Sequence, residues 1–336
     1  MMLAQIAGPA FEENRFFFRK GELTYAISAF LRSECQAPKH LDAEKVLNAI
    51  EIHQGLLVQR AHDVCSFSHL TIQEYLTAFY FKEYEKIANL VTDYLFERRW
   101  REVFLLVAGM TRTELVLRRM VIRTQQSVYE CLKIKRLLCW AESIVIKTGT
   151  ASEVASRRAL VLFLCIDLVR VLAIGTEDIE VYLKGIRALV RDLTAALEPK
   201  FILVLSRDQA TAANAARELE LAFDSLDFTL KHIQALGALL IDLTPLRSTL
   251  DKLRQGKESA GSRRNIITTL QKLITSVLLE LKLESGLHRF TQSEAAFLET
   301  YLTATSLIVD AKKAALTLTL SEWEGIAQRI LRDEVP

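Results

Sequence analysis

Between Lys39 and Val335 the chain meets proline only at Pro199 and Pro245, and 12 glycines serve all 336 residues. Proline removes an amide donor, and glycine costs a helix interior about 1 kcal/mol relative to alanine, so long stretches without either can run as helix. The apolar pattern takes that option. Phe297, Leu298, Tyr301, Leu302, Thr305, Ile308 and Val309 recur at helical spacing, as do Ile266, Leu270, Leu273, Ile274, Val277, Leu278 and Leu281. Ala159 to Ile174 is apolar nearly all round, with Arg157 just ahead of it and Asp167 and Arg170 as the charges within it, and reads as the central helix of a bundle. No fixed-period repeat accompanies these stripes, so a regular solenoid is not expected.

The first quarter departs from this pattern. From Glu22, Leu23, Ile27, Phe30 and Leu31 mark a helix that stops before Pro38; Asp42 caps a second, carrying Val46, Leu47 and Ile50, with Gly55 as its stop. Leu56 to Arg60 and Val64 to His69 read as two strands around His62-Asp63. Thr71-Ile72-Gln73-Glu74 then has the form of a capping box with Thr71 as N-cap, and Leu70 and Tyr75 have the spacing of a hydrophobic staple. That arrangement sets His69 beside a helix N-terminus. Unpaired amides and the helix dipole favour an anion there, and an imidazole can add a hydrogen bond. The alternative is a histidine that only closes the turn.

Three runs carry a family resemblance: Ile50 to Arg60 (IEIHQGLLVQR), Phe67 to Tyr75 (FSHLTIQEY) and Trp100 to Gly109 (WREVFLLVAG). Together they closely resemble bacterial NACHT proteins, STAND-type signalling NTPases built from a P-loop ATPase domain, a winged helix and a C-terminal helical or sensor region. The likeness is dense from about Phe16 to Gly109 and returns at Ser321 to Ala327 (SEWEGIA). It implies a mostly α chain: a small winged-helix module with one β-hairpin, then an all-α multi-helix bundle. It also implies that His69, at the histidine of the F-x-H-x-x-x-Q-E-[FY] pattern, contacts the β-phosphate of ADP held by a separate ATPase domain. The partner expected is that NACHT P-loop domain with ADP or ATP and Mg²⁺, with a homo-oligomer on assembly. Defence or stress signalling is the expected setting. The expected division is a leader at 1–15 without structure of its own, a winged-helix module at 16–81 and a helical domain at 82–336. An N-terminus so close to the first matching run fits an upstream part that is missing.

Other chemistry finds little footing. No Gly-x-x-x-x-Gly-Lys-[Ser/Thr] occurs; the nearest string, Asp251 to Glu258 (DKLRQGKE), lacks the first glycine and puts Glu258 where the hydroxyl belongs, so the chain alone is not expected to hydrolyse ATP or to bind a cofactor. His62, Cys65 and His69, with His53 as a fourth, fall short of paired zinc spacing, and no metal is expected. Cys131 and Cys139, eight apart on one helix, read as core thiols. No catalytic residue can be named. The helix from Asp42 to His53 carries Asp42, Glu44 and Glu51 against Lys45, which repels phosphate, and a net charge of +2 sets no strong field. Specific nucleic-acid binding is therefore not expected. The apolar run Ala159 to Ile166 is far shorter than the ~20 residues that span a bilayer, and five scattered cysteines fit a reducing cytoplasm. The alternatives are a stand-alone helical interaction scaffold and a winged-helix DNA binder.

Overall fold

In the computed structural model, residues 1–34, 42–145, 147–172, 177–199 and 271–333 are described, except 273, 280, 284, 285 and 288. The near-miss P-loop string, Pro245, and Ile266, Leu270 and Leu273 of one apolar stripe lie outside them. The chain forms two compact units: Met1–Arg119 with Ala311–Leu318, and Met120–Asp310 with Thr319–Pro336.

The first unit opens with a correction. Residues 1–15 are not a bare leader: α1 spans Met2–Glu12 and buries Ala4, Ala7, Gly8, Ala10 and Phe11. A Gly8-Pro9 pair is a poor helix interior by propensity. Packing overrides propensity here, because the missing Cβ of Gly8 leaves room for the Tyr80 ring; an added Cβ would stand 2.3 Å from it. The strand β1 (Phe17–Arg19) follows, then α2 (Lys20–Ser33), α3 (Ala43–Ala49), β2 (Leu57–Ala61) and β3 (Val64–Phe67). Helix, strand, two helices and a hairpin, with antiparallel sheet order β1-β3-β2, make a winged helix. Its first helix and first strand are the two elements the local pattern did not reveal.

The expected helix ends are found where side chains alone set them. Asp42 accepts the Glu44 amide at 2.9 Å and caps α3, and Gly55 adopts φ 62° after a π-turn at Ile50–Gln54. The hairpin turns through His62 and Asp63, the latter at φ 56°, with an irregularity between Gln59 and Ala61. Phe18 pairs with Cys65 and Leu57 with Phe67, and all four turn inward onto Ala7, Ala10, Leu23, Ile27, Leu47 and Ile50.

This unit does not stop at Phe81. α4 (Leu70–Glu83) packs on α1 and on α6 (Arg101–Met110), with α5 (Ile87–Tyr94) between them in sequence. Trp100 is fully buried, stacked on Tyr94 at 4.0 Å and edge-on to Phe11 and Phe81. Beside it Arg99 donates to the carbonyls of Phe11 and Glu12 at the end of α1. The expected boundary at 81/82 thus falls inside a packed aromatic core. From Thr113, α7 (Thr113–Val128) continues across the division between units.

The second unit is helical: α8 (Leu132–Ile144), α9 (Ala151–Leu172), α10 (Glu177–Leu197), most of α11 (Gln292–Ala314) and α12 (Leu320–Ala327). The central-helix expectation agrees with α9, where every residue from Ala159 to Val169 is buried. Burial includes Asp167, which accepts from Arg187 at 2.6 Å; a buried carboxylate requires such a partner. Trp140 donates its indole to the Leu281 carbonyl at 2.8 Å. Cys139 is exposed and reaches Asp333 at 3.1 Å, so it is not the core thiol its spacing predicted. Among the described residues no helix is long and apolar enough to cross a membrane.

Candidate functional site

His69 sits at the seam between β3 and α4, but not as the capping box predicted. The N-cap of α4 is His69 itself, with φ −135° and ψ 147°, and Ile72 donates its amide to the His69 carbonyl at 3.1 Å. Thr71 lies within the first turn, so the Thr71 to Glu74 capping box does not form. The staple fails with it, since Leu70 and Tyr75 are 51% and 48% exposed. The reason is register. The hairpin continues one residue past β3, where Ser68 donates to the Leu56 carbonyl at 2.9 Å, and the helix begins as soon as that pairing ends.

The shift brings His69 closer to the helix end than the sequence implied. Its side chain makes no cap hydrogen bond and is exposed, and the first amides of any α-helix lack partners within the helix. A residue not singled out from sequence joins it. Arg60, on β2, donates Nε to Ser66 Oγ at 2.9 Å and Nη2 to the Ser68 carbonyl at 3.1 Å, which fixes a guanidinium at the residue before His69. Its two-residue stagger from Ser66 across the sheet was readable only once the hairpin register was known.

The rest of the motif is structural. Gln73 is buried and donates Nε2 to the Arg15 carbonyl at 3.0 Å, tying α4 to the turn after α1. Glu74 is buried too, and desolvation, then the charge of Glu102, raises its pKa. Phe67 meets Phe18 edge-on at 5.7 Å. What remains facing outward is one imidazole, one anchored guanidinium and a helix N-terminus, a combination suited to an oxyanion.

The metal alternative has no geometry behind it. His62 is 94% exposed beside Asp63, whereas Cys65 is buried with its thiol 3.1 Å from Glu51. Burial, then that contact, pushes the thiol up to about 11. Among the described residues no three His, Cys, Asp or Glu side chains are grouped to hold a metal ion. In the helix weighed as a DNA reader, Glu44 pairs with Lys20 at 3.5 Å.

The fold and the seam define a winged helix whose outward polar groups gather at the N-terminus of α4. Residues 26–81 match the winged helix-turn-helix domain found C-terminal to NACHT, so this segment carries a NACHT-associated winged helix. No curated protein and no solved structure matches the chain. The matched segment opens within α2, whereas the folded module reaches back to Met2.

Proposed function

We propose that this chain is the regulatory C-terminal portion of a NACHT-type signalling ATPase. In this reading the winged helix closes over an ADP-loaded P-loop domain, and His69 donates to the β-phosphate while the first amides of α4 and the Arg60 guanidinium favour the same negative charge. The helical unit couples that closed state to a trigger or to assembly. The P-loop domain supplies the nucleotide, with Mg²⁺ for ATP, and the chain by itself hydrolyses nothing. A cytoplasmic role in defence or stress signalling accompanies the reading.

The observation that carries it is the placement of His69: exposed, with no cap hydrogen bond from its side chain, and at the head of α4, within the segment that matches the NACHT-associated domain. ADP dissociation from a complex of this chain with a NACHT ATPase domain, supplied in trans or fused ahead of Met1, tests it. Loss of the imidazole accelerates release if His69 holds the nucleotide. An unchanged rate in a complex shown to close over ADP makes His69 a turn residue and favours the helical-scaffold reading.

A further inference from the structure

Within the second unit, a cavity of about 560 Å³ opens where α8, the start of α9 and the end of α12 meet, and its lining includes Glu142, Lys147, Arg158, Glu324, Gln328 and Arg332. That volume falls in the range of small-molecule pockets. The charges of its walls are already arranged. Glu324, from the SEWEGIA run, accepts the amides of Ala151 and Ser152 on one oxygen, which caps α9, and the Ser152 hydroxyl on the other. Glu142 accepts from Arg158, meets Lys147 at 3.2 Å and lies 3.8 Å from Arg332. Burial alone would raise the pKa of Glu142, but these cations, Arg158 first, hold it below the usual carboxylate range.

Arg158 is the informative residue. Its side chain is 2% exposed; Nε serves Glu142, and Nη1 serves the carbonyls of Gln328 and Ile330 at 3.2 and 2.9 Å. Nη2 makes no hydrogen bond among the described residues, although the side chain lines the cavity. Buried guanidinium donors are ordinarily all engaged.

From this we infer that the cavity takes a small polar molecule carrying one oxyanion, a carboxylate or a phosphate, received by Arg158 Nη2 and Lys147. Lys147 stands at the rim with 65% of its side chain exposed, free to swing from Glu142 to the ligand. The inference is independent of the nucleotide reading, because every residue in it belongs to the second unit.

Calorimetric titration of the full chain with inorganic phosphate, and separately with acetate, at constant ionic strength tests it. One saturable site with a dissociation constant on the order of 1 mM is expected for one of the two anions or both, and which one saturates tells a phosphate ligand from a carboxylate ligand. Lys147→Glu weakens it at least tenfold while the chain stays folded by circular dichroism. Should Lys147→Glu fail to fold, Lys147→Gln serves, with a severalfold loss expected. Absence of saturation with both anions, or equal affinity in the folded Lys147 variant, overturns the proposal.

Discussion

Gln73 donates its side-chain amide to the Arg15 carbonyl at 3.0 Å, so the helix that begins at His69 is fastened to the turn that closes the N-terminal helix. The polar contact sits on a broader apolar one, α1 against α4, and the position of His69 depends on residues more than fifty positions earlier.

That dependence predicts a stability effect far from the motif. Phe11→Ala removes a ring packed edge-on against Trp100 at 4.8 Å and lowers the stability of the first unit by about 3–5 kcal/mol. Gly8→Ala drives a methyl group into the Tyr80 ring and costs about 1–3 kcal/mol. Gly21→Ala in α2, where nothing stands within 4 Å of the added carbon, is neutral or stabilising by up to about 1 kcal/mol. Urea unfolding followed by tryptophan fluorescence ranks the three.

At the seam, His69→Ala removes a hydrogen bond to a charged group and is expected to speed ADP release by roughly ten- to a hundred-fold, about 1.5–3 kcal/mol. Arg60→Lys keeps the charge but loses the fork that holds Ser66 and Ser68, and a smaller acceleration follows. Thr71→Ala, an exposed first-turn change away from the cap, shifts stability by less than about 0.5 kcal/mol and leaves the rate alone. Stopped-flow displacement of a fluorescent ADP from the assembled complex measures all three.

Glu74 gives the first unit a pH signature. Burial and Glu102 raise its folded pKa above the unfolded value, so its contribution is favourable at low pH, where both states hold the proton, and is lost as pH rises through the raised value. At neutral pH the ionised group is a penalty. Glu74→Gln therefore raises Tm at pH 7, and the gain shrinks as pH falls toward about 4, where the unfolded carboxyl also protonates. A gain of equal size at both pH values assigns the effect to packing and not to charge.

In the second unit the buried pair of Arg158 and Glu142 behaves in the opposite sense. Arg158→Met leaves Glu142 without its closest partner and Glu142 is only partly exposed, so a loss of about 3–5 kcal/mol is expected. Adding Glu142→Gln to that variant restores a large part of it. Because the pair lowers the pKa of Glu142, its contribution is present above the unfolded carboxylate value and fades as pH drops through the lowered one. Thermal unfolding of the single and double variants at pH 7 and in acid separates these effects.

The sequence by itself determined what a few neighbouring residues can settle. Scarce proline and glycine made the chain helical, alternation around His62-Asp63 made the hairpin, Asp42 capped α3 and Gly55 ended the turn after it, because each acts on backbone within one or two turns of itself. The apolar run at 159–169 became the buried centre of α9 for the same reason. Tertiary structure decided the rest. α1 forms despite Gly8-Pro9 because α4 offers Tyr80 to pack against, and β1 is three residues that exist as strand only beside β3. The cap of α4 moved from Thr71 to His69 because hairpin pairing at Ser68 competes with local capping and runs one residue further. Arg158 is buried because Glu142 and two carbonyls near the C-terminus converge on it from up to 172 positions away. A local pattern carries no record of partners that distant, and burial of a charge is set by those partners alone.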